Sequence, residues 1–307
     1  MVKHMLLLDK VNEGKGFNLG GYAGTGKTTQ IREVYDKYGT SGNYCSPTHA
    51  AAHVMSGLGV PATTMHRLIY TYDEEQDRFY KRRRLDGDFI LCDEASMLNS
   101  YQIRDLKSFG VPVYLVGDPF QLGPVKGFMA FEPDETLTKV HRHGGAVLRR
   151  ATLAREEGEW EGDELDWDYV YSADMVICGY NKTRHRLNDR IRAHLGMRGK
   201  LCIGDRIIIR NNTKHGFNGQ LLTVKKLSIE GDQYRVNGKP CIFADRSGDF
   251  KSKHICDIDY AYARTCHSAQ GSQADRVAIF CEPVGMADNW VYTALTRAIK
   301  EVKLYEV

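Results

Sequence analysis

Gly21-Tyr22-Ala23-Gly24-Thr25-Gly26-Lys27-Thr28 is the stretch that decides the fold. It fits Gly-x-x-x-x-Gly-Lys-Ser/Thr and stands where that pattern has a mechanism, after a strand-like run, Phe17 to Gly20, and opening a helical one, Thr28 to Tyr38. Ile31, Val34, Tyr35 and Tyr38 recur at helical spacing, and Gly39 supplies the stop. Glycines let backbone N–H groups wrap phosphate oxygens, and a helix N-terminus favours their charge. Gly21, Gly24, Thr25, Gly26 and Thr29 are therefore candidate nucleotide-binding residues. Lys27 is placed to reach the β- and γ-phosphates, and the Thr28 hydroxyl to ligate Mg²⁺.

A second source of carboxylate follows at Phe89-Ile90-Leu91-Cys92-Asp93-Glu94, a buried strand ending in two acids. Asp93 is the candidate metal ligand, usually through water, and Glu94 the base that activates the attacking water. With the glycine-rich loop, this pair points to ATP hydrolysis with ATP and Mg²⁺. Asn43 to Ser46 and Val113 to Val116 are further short apolar runs, which makes the fold class α/β with a parallel sheet.

Farther out, the text from Tyr70 changes to Tyr70-Thr71-Tyr72, an acidic turn at Asp73 to Asp77, then Phe79-Tyr80 and the basic run Lys81 to Arg84. This predicts a β-hairpin, over residues 70–86, standing off the sheet. A second α/β section has helices at Ala146 to Glu157 and Thr183 to Leu195 and a strand at Met175 to Cys178. From Leu201 to Ile255, short strands alternate with Gly, Asn and Asp turns, the pattern of a small inserted β-barrel. Strands at Tyr260 to Cys266, Val277 to Cys281 and Val302 to Tyr305 then resume around a helix at Asn289 to Ile299. The expected domains are 1–136, then 137–200 with 256–307, with the insertion at 201–255.

The length of 307 residues suits two domains. A net charge of +3 is too small to announce a nucleic-acid partner. Eight scattered cysteines without a Cys-x-x-Cys pair suit a reduced, cytoplasmic chain. Met5 to Leu8 is far shorter than the ~20 residues of a membrane span, so no membrane association is expected.

Several later segments resemble the motifs of superfamily 1 helicases, in family order. Ser46-Pro47-Thr48-His49-Ala50-Ala51-Ala52 resembles motif Ia and Thr64-Met65-His66-Arg67-Leu68 motif Ib. Asp93 to Met97 resembles motif II, and Val116-Gly117-Asp118-Pro119-Phe120-Gln121-Leu122-Gly123-Pro124-Val125 motif III. Leu137 to Arg142 is similar to motif IV, Ala263 to Ser272 to motif V, and Tyr292 to Ala298 to motif VI. The hairpin ahead of motif II and the texts Gly204 to Asn212 and Phe217 to Leu222 resemble the RecD/Dda-like branch, whose insertion is SH3-like.

The resemblance implies two tandem RecA-like P-loop domains and a motor moving 5′→3′ on single-stranded DNA and unwinding forked duplexes, acting as a monomer. Replication or recombination proteins are possible partners. It implies that Gln121 senses the γ-phosphate, that Arg142 and Arg297 are arginine fingers, and that Gly271 lines the same cleft. Thr48, His66, Thr265 and His267 match positions that contact the strand, and Phe79 and Tyr80 those of the duplex-splitting pin. Lys81 to Arg84 suit either a backbone-holding strand or a charged edge that resists aggregation. An RNA helicase, or a nucleotide-switched clamp that does not unwind, shares most of these features. The family carries an adenine-recognising glutamine ahead of the loop, whereas Met1 to Gly16 contain none.

Overall fold

The computed structural model describes residues 6–73, 76, 78–125, 127–141, 145–243, 254–282 and 289–307. The chain forms two compact units. The first comprises Met1–Glu159 with Gln270–Ser272 and Ala287–Ile299; the second comprises Trp160–Ala269, Gln273–Met286 and Lys300–Val307.

In the first unit, α1 (Leu6–Glu13), β1 (Phe17–Gly21), α2 (Lys27–Tyr38), β2 (Gly42–Ser46), α3 (His49–Gly57), β3 (Thr63–Thr64) and α4 (Met65–Ile69) come in order. They are followed by β4 (Tyr70–Asp73), β5 (Arg78–Lys81), β6 (Phe89–Cys92), α5 (Ser100–Lys107), β7 (Val113–Gly117), β8 (Glu135–Leu137) and α6 (Gly145–Glu156). Six strands form one sheet in the order β3-β2-β6-β7-β1-β8, all pairings parallel. Successive side chains leave opposite faces, so Leu91, Tyr114 and Val116 enter one core with Leu19, Ile31 and Val34. Ile90, Cys92 and Leu115 enter the other, with Ile69 and Leu106. Burial on both faces explains the unbroken apolar runs.

Parallel pairing brings the carboxyl ends of β1, β6 and β7 to one edge, with Gly20 opposite Gly117 and Cys92 opposite Leu115. Ligands of open α/β sheets bind at that edge. Gly39 ends α2 at φ 53°, its N–H donating to the Tyr35 carbonyl. The hairpin strands β4 and β5 are antiparallel, with Tyr72 opposite Phe79 and Thr71 opposite Tyr80.

The second unit holds α7 (Trp167–Ser172), β9 (Met175–Cys178), α8 (Asn181–His194), β10 (Arg206–Ile209), β11 (Leu221–Thr223), β12 (Leu227–Glu230), β13 (Gln233–Val236) and β14 (Lys239–Phe243). After them come β15 (Cys256–Tyr260), β16 (Ala263–Thr265), α9 (Cys266–Ala269) and β17 (Ala274–Cys281); α10 (Trp290–Leu295) belongs to the first unit, and β18 (Ala298–Glu306) completes the described elements. A four-stranded sheet has the order β16-β9-β17-β18, with β9 parallel to β16 and β17. A six-stranded sheet, β11-β10-β15-β14-β13-β12, is antiparallel except for β14 with β15.

Several boundaries differ from the sequence expectation. The strand expected over Tyr260 to Cys266 divides into β15 and β16, because β15 pairs with β10 and β14 whereas β16 pairs with β9. The run from Leu221 to Leu227 likewise divides between β11 and β12. The C-terminal helix stops at Leu295, and Ala298 already begins a strand. The first unit extends beyond residue 136, since β8 pairs with β1 and α6 packs on α10. The strand expected at Cys241 to Ala244 and the turn at Asp73 to Asp77 lie partly outside the described residues.

Of the eight cysteines, every one but Cys202 is buried. Among the described residues, no helix is long and apolar enough to cross a membrane.

Candidate nucleotide and nucleic-acid site

The loop between β1 and α2 depends on its glycines. Gly24 and Gly26 lie at φ 80° and 91°, and a Cβ on Gly21 would meet the Thr25 hydroxyl oxygen at 2.7 Å. The Tyr22 carbonyl accepts from the Thr25 hydroxyl at 2.8 Å and from Lys27 Nζ at 3.0 Å, and the Gly21 carbonyl accepts from Lys27 Nζ at 2.6 Å. The loop is also tied to the end of β8 and the segment after it: Tyr22 N–H donates to the Leu137 carbonyl at 3.1 Å and His141 N–H to the Gly24 carbonyl at 2.8 Å. Thr28 lies in the first turn of α2, followed by the exposed Thr29.

Asp93 and Glu94 follow β6 at the same sheet edge. Glu94 adopts the left-handed conformation at φ 54°, uncommon for a side-chain-bearing residue and typical of functional sites, and its N–H donates to Asp93 Oδ1 at 2.9 Å. Burial pushes the Asp93 carboxyl up to about 7, and Glu94 adds to the shift while its N–H and Lys27 oppose it. A divalent cation offsets such a penalty, and the hard oxygen donors Thr28 and Asp93 fit Mg²⁺.

Beyond β7 lies a buried polar chain assembled from distant parts of the sequence. Ala23 N–H donates to the Tyr292 hydroxyl at 3.2 Å, and that hydroxyl donates to Asp118 Oδ2 at 2.7 Å. Gln121 Nε2 donates to the same oxygen at 3.2 Å, and Gln121 Oε1 accepts from Arg297 Nη2 at 2.9 Å. Arg297 also donates to the Thr293 carbonyl and the Thr296 hydroxyl. Its acceptors are thus neutral, and among the described residues no carboxylate lies within ion-pair reach. A guanidinium 3% exposed with only neutral acceptors is suited to an incoming anion. Asn289 Nδ2, the Thr293 hydroxyl and Gln270 Nε2 fix the Gln121–Leu122 backbone at 2.6–2.9 Å. Burial pushes the Tyr292 phenol up, with Asp118 adding.

Other candidates are placed elsewhere. Gly271, expected beside the nucleotide, lies at φ 76° with Ala51 of α3 nearest it, where an added Cβ would meet Ala51 atoms at 3.0–3.2 Å. Thr48 caps α3, accepting from Ala51 N–H at 3.2 Å. His66 is exposed on α4, its ring 4.6 Å from that of Tyr70 and 4.7 Å from that of Phe79. Phe79 is 58% exposed and also touches Tyr72. Tyr80 faces the other way, with Arg78 over its ring at 4.3 Å. Alternation along β5 thus separates two residues expected to act together. Lys81 pairs with Asp105 at 3.4 Å rather than standing free. Thr265 and the exposed His267 lie in the second unit, at β16 and α9. Arg142 lies outside the described residues.

Asp118, Gln270, Tyr292 and Thr293 lie within motifs that assign them no role, and nothing in the sequence singles out Arg155. The first four offered motif membership as a signal; Arg155 offered none.

A phosphate loop after β1, paired acids after β6 and a buried glutamine after β7 define a P-loop protein of the RecA-like α/β class. The sequence matches the family described as AAA domain over residues 11–178, and the UvrD-like helicase C-terminal domain over residues 260–305. The chain therefore belongs to the AAA domain family, within superfamily 1 and its RecD/Dda-like branch. It is 22% identical to a probable conjugal transfer protein TraA of Sinorhizobium fredii over 93% of this chain and 30% of that protein. It is 24% identical to the RecBCD enzyme subunit RecD of Mycolicibacterium smegmatis over 80% of this chain and 55% of that one. The chain thus spans about a third to a half of the length of these relatives. In fold it is similar to Pif1 helicase from Bacteroides in complex with ADP-AlF3 and ssDNA, with a TM-score of 0.67, 19% identity and coverage of 99% of this chain and 92% of that one. This chain shares that fold, with two RecA-like domains.

Proposed function

We propose that this chain is an ATP-driven motor that hydrolyses ATP to ADP and phosphate, translocates 5′→3′ on single-stranded DNA and unwinds forked duplexes. The observation that carries the reading is the buried chain from Ala23 through Tyr292, Asp118 and Gln121 to Arg297. It joins the phosphate loop to a glutamine and an arginine suited to a γ-phosphate.

The chemistry follows from the residues. Glu94 takes the proton of the attacking water, while Lys27 and Arg297 stabilise the charge that develops on the transferred phosphoryl group. Thr28 and Asp93 would hold Mg²⁺, which polarises the β- and γ-oxygens when bound. Gln121 orients the Arg297 guanidinium. Thr48, His66, Thr265 and His267 serve as strand contacts, with Phe79 as the exposed aromatic of the pin. DNA as substrate is supported by the single-stranded DNA in the Bacteroides Pif1 complex, and the polarity by resemblance to the RecD/Dda-like branch. The motor works as a cytoplasmic monomer, open to replication or recombination partners.

The test is ATPase rate with and without single-stranded DNA or RNA, then unwinding of duplexes carrying one 5′ or one 3′ tail. DNA stimulation and a 5′-tail requirement are expected. Absence of stimulation by either nucleic acid overturns the motor, and a 3′-tail requirement overturns the polarity.

A further inference from the structure

We infer that Arg155 is a positioning residue for the phosphate loop, acting through the ring of Tyr22; the inference rests on the ATPase reading above. Arg155 lies near the C-terminal end of α6, and its guanidinium carbon sits 3.6 Å from the centroid of the Tyr22 ring. The same guanidinium lies 5.8 Å from the Tyr292 ring and 6.0 Å from that of Phe120, which meets Tyr22 edge-on at 5.6 Å. One cation thus gathers aromatic residues from the phosphate loop, motif III and motif VI.

A surface ion pair is the simpler explanation for an arginine beside a glutamate. Arg155 Nη2 does bond Glu156 Oε1 at 2.7 Å, but the two ends differ: the Glu156 side chain is 57% exposed and that of Arg155 6%. An arginine serving only Glu156 would remain in water with it. Instead the guanidinium is buried against Tyr22, and its Nε has no hydrogen-bond acceptor among the described residues. Leaving a buried donor unsatisfied is unfavourable, so the position is held by what the guanidinium packs against.

The consequence for the loop runs through one atom. The Tyr22 carbonyl accepts from Lys27 Nζ, from the Thr25 hydroxyl and from Thr25 N–H. Fixing the Tyr22 ring therefore fixes the oxygen that orients Lys27 and shapes the turn of the loop. Arg155 acts at a distance in this arrangement; it sets the position of Tyr22, whose carbonyl orients Lys27.

The experiment measures steady-state ATPase of the full chain at saturating single-stranded DNA. Arg155→Ala should raise the KM for ATP roughly tenfold, the scale of a desolvated cation–π contact, with a smaller change in kcat. Tyr22→Leu should do the same, Tyr22→Phe should match the parent, and Arg155→Lys should recover part of the loss. The double variant Arg155→Ala/Tyr22→Leu should be no worse than either single one. Nucleotide-free DNA binding should stay unchanged, and the thermal midpoint should fall only modestly. A KM within about twofold of the parent in folded Arg155→Ala, or additive effects in the double variant, overturns the inference. Should Arg155→Ala fail to fold, Arg155→Gln, which keeps much of the volume and loses the cation, carries the test, and a parental KM in it has the same meaning. Lys27→Ala separates the two readings: ATPase that survives it overturns the ATPase reading itself, whereas ATPase lost in Lys27→Ala but unaltered in Arg155→Ala overturns only the role of Arg155.

Discussion

Arg297 Nη2 donates to Gln121 Oε1 at 2.9 Å across 176 residues of sequence. Each residue is 3% exposed. The contact orients a guanidinium that an arginine-finger role requires to be in place before the γ-phosphate arrives. Arg297→Ala should lower DNA-stimulated kcat by about 10³-fold, the lower end of the range for such arginines, with little change in nucleotide affinity. Single-turnover ATP hydrolysis together with binding of a fluorescent nucleotide separates the two effects. Equal loss of both would assign Arg297 to binding.

Lys27 and Glu94 should fail in different ways. Lys27→Ala removes the contact to phosphate proposed above and should abolish turnover and weaken nucleotide binding. Glu94→Gln retains the shape of the side chain but not its basicity, so binding should persist while hydrolysis stops. Isothermal titration beside a phosphate-release assay distinguishes these outcomes.

Phe79 and Tyr80, adjacent in sequence, should behave differently. Phe79 is exposed beside His66, whereas Tyr80 faces the other way under Arg78. Phe79→Ala should impair unwinding of forked DNA while sparing DNA-stimulated ATPase, since an aromatic face replaces ~1–3 kcal/mol of base stacking. Tyr80→Ala should leave unwinding close to normal. Equal loss of ATPase and unwinding in Phe79→Ala argues against the pin.

The base of the hairpin carries a pH dependence. Asp105 is held below the usual carboxylate range by the Tyr70 hydroxyl first and then by Lys81, and burial and that same bond push the Tyr70 phenol up to about 12. A depressed folded value means stabilisation that is present above the unfolded value of about 3.9 and is lost as pH falls through the folded one. Tyr70→Phe should weaken this acid-side loss, and amide exchange of β4 and β5 between pH 3 and 6 would show it.

In the second unit, Asp205 is fully buried. It accepts from Arg192 Nε at 2.8 Å, Arg192 Nη2 at 3.0 Å, the Tyr262 hydroxyl at 2.8 Å and Cys202 N–H at 2.7 Å. Asp205→Asn leaves a buried guanidinium without its countercharge and should destabilise by about 3–5 kcal/mol. Urea unfolding measures it, and a change below about 1 kcal/mol would show that water reaches the pair.

The amino-acid sequence by itself determined the phosphate loop, the acids after β6, the parallel sheet and the order of the motifs. These are local: a glycine at positive φ, a two-faced apolar strand and a helix start each depend on residues a few positions apart. Only the tertiary structure decided that Tyr292, Gln270 and Arg155 meet the loop and the Gln121 segment, that Gly271 packs on Ala51 and that Phe79 and Tyr80 diverge. It also decided that β15 and β16 join different sheets. Those outcomes depend on which strand edges find hydrogen-bond partners and which buried polar groups satisfy one another. Arg297 shows the division: its motif was legible along the chain, but its orientation is supplied by a glutamine 176 residues away.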